Sequence, residues 1–536
     1  MAGYIGSKAV SVNTTSATIS DDLTVGDDAS VAGDLSVTGD YSSTTAGTSN
    51  LRLGVNAGNS IASGGNYNVC VGDEAGTAIN TGDVNTFIGY QSGDATTTSG
   101  NNVGVGYASL GTNIVSSKNV AIGNNALKTH NLGSAGDGLN VAVGHGAGEE
   151  VSTGLRNTLV GGLAGDALNT ASDNVAIGYS ALTTETSGGR SVAIGLHALN
   201  TQNVGGGIDA SNVAVGNQAG YAVTTGIRNT LIGGLAGDAL TDADDNTAVG
   251  VLALSTCVLG SGNTAVGKDA LEDCNPASAV TMQNTAVGQG AAANLTTAIR
   301  GTFIGARSGG GSSVTGNDNT CVGNDSGLAL TSGNKNTIIG YAAGDSITTG
   351  SSNIMIGEQS EVSAEDGVNQ ICIGIDINAG GNNNFTFGKA SNIVVCDFDA
   401  DATFERSSDL RLKTNVADVI LGLDFINDLR PVTYKWKASG DLDANDPELA
   451  HLRTEDEDGN IINQMTTDVT MHGLIAQEVK TALDTANVSN FKGWDKDNFG
   501  VQTVSREMYV IPLIKAVQEL STALDAALAR IATLEG

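Results

Sequence analysis

Ser408, Arg411 and Lys413 fall within six residues, in the run Ser408-Asp409-Leu410-Arg411-Leu412-Lys413. A hydroxyl and an amine this close could do nucleophilic chemistry. A serine hydroxyl is a poor nucleophile until a base removes its proton. A lysine can be that base at neutral pH only if desolvation or a neighbouring cation brings its pKa down from about 10.4. Ser407 is a second nucleophile on chemistry alone, and the same letters also suit an ordinary Ser/Asp-rich turn. Position favours chemistry. Upstream lies a long Gly-rich repeat array, and downstream an ordinary mixed α/β composition that ends in a heptad helix. Reactive residues at such a boundary suggest that the boundary is cut.

The upstream array must hold this boundary at its end. Its unit is Asn-(Thr/Val)-(Ala/Leu/Cys)-(Val/Ile)-Gly, with the glycine at 72, 89, 106, 123, 144, 161, 178, 195, 216, 233, 250, 267, 288, 305, 323, 340, 357 and 374. The intervals run 17, 17, 17, 21 three times over, then 17 or 18. Asn157-Thr-Leu-Val-Gly-Gly-Leu-Ala-Gly-Asp-Ala-Leu returns 72 residues later from Asn229, so a four-rung block was duplicated. Seventeen residues are too few for a helix pair but suit two short strands and two turns. Positions −3 and −1 from the glycine alternate with position −2. Both sets are apolar, which predicts one face filling the coil and the other meeting a partner chain. The recurring Asn at −4 predicts a stacked amide ladder. At ~4.8 Å per rung, the stack predicts a rod of roughly 85 Å. The 21-residue intervals insert four residues near 124–139, 196–211 and 268–283, and should protrude from one edge, either as plain surface insertions or as loops that make contacts.

Composition agrees. Glycine is 74 of 536 residues, proline 4 and aromatics 4%, a balance that suits stacked repeats better than a globular core. The formal charge of −32, without a Lys/Arg cluster, speaks against nucleic-acid binding, which needs a basic face. The N-terminus has no signal-peptide pattern and no apolar run approaches ~18 residues, which predicts cytoplasmic synthesis and no membrane insertion. The six cysteines show no metal or disulfide spacing. Cys70, Cys321 and Cys372 share repeat position −2 and read as small buried hydrophobes. His130, His145, His197 and His451 are scattered, so neither a metal nor a cofactor is expected. No pair of carboxylates beside aromatic platforms suggests a glycosidase site.

Ser408-Asp409-x-Arg411-Leu412-Lys413, Leu429-Arg430-Pro431-Val432-Thr433-Tyr434-Lys435-Trp436, His472-Gly473-Leu474-Ile475-Ala476-Gln477-Glu478-Val479 and Ile511-Pro512-Leu513-Ile514-Lys515-Ala516 stand in this order. Together they closely resemble the self-cleaving intramolecular chaperone domain at the C-terminus of phage tail spikes and fibres, endosialidases among them. The resemblance covers roughly residues 405–536. It implies that Lys413 acts as base on Ser408 and that the Ser407–Ser408 bond is split. Asp409 beside Ser408 matches the motif and singles out Ser408 over Ser407. Arg411 and burial in an assembled trimer would lower the Lys413 pKa, so that the cut awaits folding. His472 reads as fold-forming. Leu513, Val517, Leu520, Leu524, Ala527, Ile531 and Leu534 step by four and three, a coiled-coil seam. A helix packed on its own domain would use the same spacing.

The expected fold is mainly β: an elongated homotrimer with a β-helical shaft and a small α/β C-terminal domain ending in a trimeric coiled coil. The shaft repeats resemble the left-handed parallel β-roll of trimeric-adhesin heads, although those repeats are usually shorter. The expected parts are 1–20 for virion attachment, 21–50 as a β-helical stalk, 51–379 as the repeat shaft, 380–407 as a cap or tip, and 408–536 as the chaperone. The expected function is a virion tail fibre or spike that joins the tail or baseplate through its N-terminus. It would meet a polysaccharide or protein receptor on the host surface, with a non-enzymatic shaft and a protease acting only in cis. A bacterial trimeric adhesin and a polysaccharide-depolymerising spike are the alternatives.

Overall fold

The computed structural model describes residues 45–399, 404–405, 410–453, 461 and 468–536. The expected attachment segment and most of the expected stalk lie outside them. The chain divides into two compact units, Met1–Ser407 and Ser408–Gly536.

The first unit is a β-solenoid. Each rung gives one three-residue strand ending just before the rung glycine, and successive strands pair in parallel at identical repeat positions. Val69, Cys70 and Val71 lie opposite Thr86, Phe87 and Ile88, and this register continues to Ile371–Ile375. The expectation of two strands per rung is corrected to one in most rungs, with a second, two-residue strand only beside the first and third insertions and at the end of the stack. The remainder of each rung is a chain of turns, because it is dense in left-handed residues such as Glu74, Gly76, Gln91 and Gly93 (φ 57–59°), which break a strand. The rung glycine has its own reason. Gly72 sits at φ 122°, and a Cβ there would fall 2.8 Å from the Gly89 carbonyl. Backbone packs on backbone along this column, so no side chain fits.

Three columns fill the interior. Position −2 (Cys70, Phe87, Leu159, Leu231, Phe303) is fully buried, as are the small residues three after the glycine (Ala75, Ala126, Ala147) and the residues seven after it (Ile79, Val151, Leu168). The core is narrow, so a large residue in one rung requires a small one beside it. Phe87 is accommodated by Gly104 in the next rung, where a Cβ would approach the ring to 2.9 Å. The expected amide ladder is present. Asn85 Nδ2 donates to Asn68 Oδ1 at 3.1 Å and Asn102 Nδ2 to Asn85 Oδ1 at 3.3 Å. It runs on to Gln370, interrupted by Ser191 and Gly301.

Positions −3 and −1, expected to be buried like −2, are only half-buried within one chain. Ile88, Ile122, Ile232 and Ile373 are each 39% exposed. The alternation was read correctly, but a single coil has one inside. The outward columns form a β-branched stripe with no charged residue from Val69 and Val71 to Ile371 and Ile373.

The three insertions leave the same edge. Ser116–Ser117 pairs with Gly136–Asp137, Gly189 bridges Asp209, and Gly260–Ser261 pairs with Val280–Thr281, each 72 residues after the last. Ion pairs fasten the first two, Lys118–Asp137 at 2.6 Å and Arg190–Asp209 at 2.7 Å. The parallel stack ends in an antiparallel hairpin, Asn384–Lys389 with Asn392–Asp397. Its Phe385, Phe387 and Ile393 belong to the closing strands expected here.

The second unit holds α1 (Leu423–Asp428), α2 (Ala476–Thr485) and α3 (Val510–Glu535), with two small antiparallel strand pairs, Val432–Tyr434 with Met471–Gly473 and Trp494–Lys496 with Gln502–Val504. Leu421, Phe425, Val479, Leu483 and Tyr509 form its core. The Phe425, Phe491 and Tyr509 rings meet at 5.4–6.2 Å.

Candidate functional site

Three of the four motifs picked out in the sequence lie within the described residues, and they meet. The Leu429–Trp436 motif supplies the strand Val432–Tyr434. The His472–Val479 motif supplies its antiparallel partner and then opens α2, with Thr433 opposite His472. Arg430 Nε donates to Glu478 Oε2 at 3.1 Å, which clamps the first motif to the second. The fourth motif starts α3, and its Pro512 and Ala516 are buried. The first two of these motifs share one core, to which they bring Leu429, Leu474 and Val479.

His472 lies in that strand pair with an exposed side chain, and its carbonyl accepts from Arg506 Nη1 at 3.2 Å. A cavity of about 630 Å³ opens nearby, lined by Tyr434, Trp436, His451, Leu474, Gln502 and Arg506 among others. His451 stacks on Phe499 at 4.0 Å between ring centres.

Of the expected cutting residues, Ser407, Ser408 and Asp409 lie outside the described residues. Leu410–Leu412 form a single 3-10 turn. Lys413 follows it, donating its backbone N–H to the Leu410 carbonyl at 3.1 Å, with its side chain exposed in the single chain.

Helix α3 is packed only at its start. Leu513, Val517, Leu520, Leu524, Ile531 and Leu534 are 46–79% exposed, so the seam does not serve the helix's own unit. The reading of a helix packed on its own domain is therefore corrected. Among the described residues no helix is long and apolar enough to cross a membrane, and no group of three His, Cys, Asp or Glu residues is placed to hold a metal ion.

Residues 408–487 match the family model described as chaperone of endosialidase. The C-terminal unit carries a chaperone-of-endosialidase domain. The match begins at the first residue of the second compact unit and ends just beyond α2. Comparison with curated proteins and with solved structures gives no match. A long β-solenoid followed by a chaperone-of-endosialidase domain fits a protein of the tail fibre or tail spike type.

Sequence reasoning missed two features. Glu519 of α3 accepts the Leu423 backbone N–H at 2.7 Å, a link across 96 residues with no local signature. The interior column seven residues after each glycine also departs from Ile, Val and Leu, turning polar at Thr96, Asn113, His130, Glu185 and Gln202 and to cysteine at Cys257 and Cys274. The 72-residue period was the signal that could have found these.

Proposed function

We propose that the protein is a homotrimeric phage tail fibre or spike whose tip meets the host surface, and whose chaperone domain removes itself once the trimer has formed. The observation that carries this is the chaperone match starting at Ser408, directly behind the solenoid. In the proposed cut, Lys413 takes the Ser408 Oγ proton as Oγ attacks the Ser407 carbonyl carbon. The C–N bond breaks, and the proton passes to the departing Ser408 amine. Water then hydrolyses the ester, leaving a Ser407 carboxylate and a free Ser408 amino group. Assembly would supply the burial that Lys413 lacks in the single chain.

Two surfaces support self-association. The uncharged β-branched stripe of the shaft is the kind of exposed apolar surface that marks an interface. Its one-rung period matches another copy of the same solenoid in register. The exposed α3 seam is a coiled-coil surface without an intramolecular partner. A chain of net charge −32 would repel its copies elsewhere, so these charge-poor surfaces are where copies can meet. A template matters because in-register parallel pairing over long sequence separations is slow to nucleate. Once the template is gone, the shaft would persist by a kinetic barrier.

The test is the molar mass in solution of wild type and of a Leu520→Glu/Leu524→Glu variant. Both leucines are exposed, so the variant unit should still fold. Three copies for wild type and failed assembly for the variant are expected. A monomeric, soluble wild type would contradict the proposal.

A further inference from the structure

Each insertion overlies a change in the solenoid interior. In the other rungs of these blocks the residue seven after the glycine is Ile79, Val151, Leu168, Val223 or Leu240, all fully buried, with Thr96 the one buried polar exception. In the rung that carries each insertion and the rung before it, the column instead holds Asn113 and His130, then Glu185 and Gln202, then Cys257 and Cys274, also fully buried. Successive pairs are offset by 72 residues.

The first member of each pair reaches the corner three residues on. Asn113 Nδ2 donates to the Ser116 carbonyl at 2.8 Å, Glu185 Oε1 accepts the Gly188 amide at 2.6 Å, and Cys257 Sγ lies 3.8 Å from the Gly260 carbonyl. The second member completes the site differently each time. His130 Nε2 is 2.8 Å from Ser116 Oγ, and Gln202 Nε2 donates to Glu185 Oε2 at 3.0 Å. Cys274 Sγ is 3.2 Å from Cys257 Sγ and 3.2 Å from Met282 Sδ.

Met282 stands where the other blocks have Gly138 and Ala210. Gly260 makes room for the sulfurs, since a Cβ there would sit 2.7 Å from Met282 Sδ and 2.8 Å from Cys257 Sγ. The chain has six cysteines and six methionines in 536 residues, and three of these meet at one buried point. All three positions carry sulfur in this block alone.

We propose that Cys257, Cys274 and Met282 form an internal site for one soft monovalent metal ion, of the Cu(I) class. Thiolate and thioether ligands select soft ions over calcium or magnesium, which need oxygen ligands. Charge selects the monovalent state. One thiol loses its proton as the metal–sulfur bond forms, so an uncharged unit replaces an uncharged unit in an apolar interior, and no oxidant is required. Asn263 Nδ2 lies 3.7 Å from Cys274 Sγ. Because the site is closed, the ion enters while the rungs stack, and it then ties two rungs together beneath the third insertion.

The test uses full-length protein made in copper-supplemented cells and purified without air, then challenged with excess of a Cu(I) chelator. Wild type should retain one copper per chain, and Cys70→Ser should match it. Cys257→Ser and Cys274→Ser should retain none. Met282→Leu keeps both thiols and an apolar interior, and should weaken retention by about tenfold or more. It serves as the decisive variant if the cysteine variants fail to fold. Wild-type retention no greater than that of Met282→Leu would overturn the proposal. So would a wild-type mass lower by two hydrogens, with both thiols unreactive after denaturation, since the pair would then be a disulfide.

Discussion

Glu519 accepts the Leu423 backbone N–H at 2.7 Å and so caps the first turn of α1 from a helix 96 residues away. The carboxylate sits against Gly422, where a side chain would collide with it, and Lys515 Nζ lies 3.5 Å from it. It also marks where α3 leaves its own unit. Pro512 and Ala516 before it are buried, while Leu520, Leu524 and Leu528 beyond it are exposed. The amide bond, and secondarily Lys515, hold its carboxyl below the usual glutamate value. A lowered pKa contributes stability that is present above the unfolded value and is lost as pH falls through the folded one. Glu519→Gln should lower the melting temperature of the C-terminal unit at neutral pH and flatten its dependence on acid. An unchanged melting curve at both pH values would show that the cap contributes nothing.

The amide ladder should be sensitive at single rungs. Asn229 Oδ1 accepts both the backbone N–H and the Nδ2 of Asn246, and its own Nδ2 donates to the Ala243 carbonyl at 2.8 Å. Asn229→Ala strands buried groups on both neighbours, a cost of about 2–4 kcal/mol. Repeat stacks open locally, so the measurement is native-state hydrogen exchange. Amides around 243–246 should exchange faster, while those near Asn68 and Asn85 stay protected.

Acid should loosen the shaft near the first insertion. Burial pushes the His130 pKa down to about 4 from an ordinary 6.5. Between these values the unfolded chain binds a proton that the folded chain excludes, so stability falls as pH drops from about 6.5 to about 4. The loss is on the order of 3 kcal/mol. His130→Gln should remove this part of the pH dependence when melting temperature is followed across that window.

Two glycines separate packing from backbone conformation. At Gly93 (φ 58°) a Cβ would come within 2.5 Å of Phe87 Cδ1 and Cζ, whereas at Gly133 (φ 73°) nothing lies within 4 Å. Gly133→Ala should cost only the left-handed penalty of about 1–2 kcal/mol. Gly93→Ala adds overpacking of about 1–3 kcal/mol. Denaturant unfolding should rank them in that order.

Much of the shaft was legible because a period of 17 residues is a strong signal. Rung glycines, the asparagine ladder and the position of the insertions follow from spacing alone. Strand number per rung was not legible, because left-handed residues such as Glu74 and Gln91 are not glycine and give no turn signature by type. Burial at −3 and −1 was misread for a different reason. Apolar character at Ile88 or Ile232 shows that a surface needs covering, while one coil has a single inside. In the C-terminal unit, the short motifs marked segments of the domain but did not tell strand from helix, and the strand pair and α2 appear only in the structure. The Glu519 cap joins residues too far apart in sequence for any local pattern to reveal.

The central claim is the self-cut, and denaturing electrophoresis with intact mass tests it directly on purified wild type, Ser408→Ala and Lys413→Ala. The account predicts two wild-type fragments that divide between Ser407 and Ser408, and one full-length chain in each variant. A wild-type chain that stays full length after folding, or variants that are cut as wild type is, would contradict it.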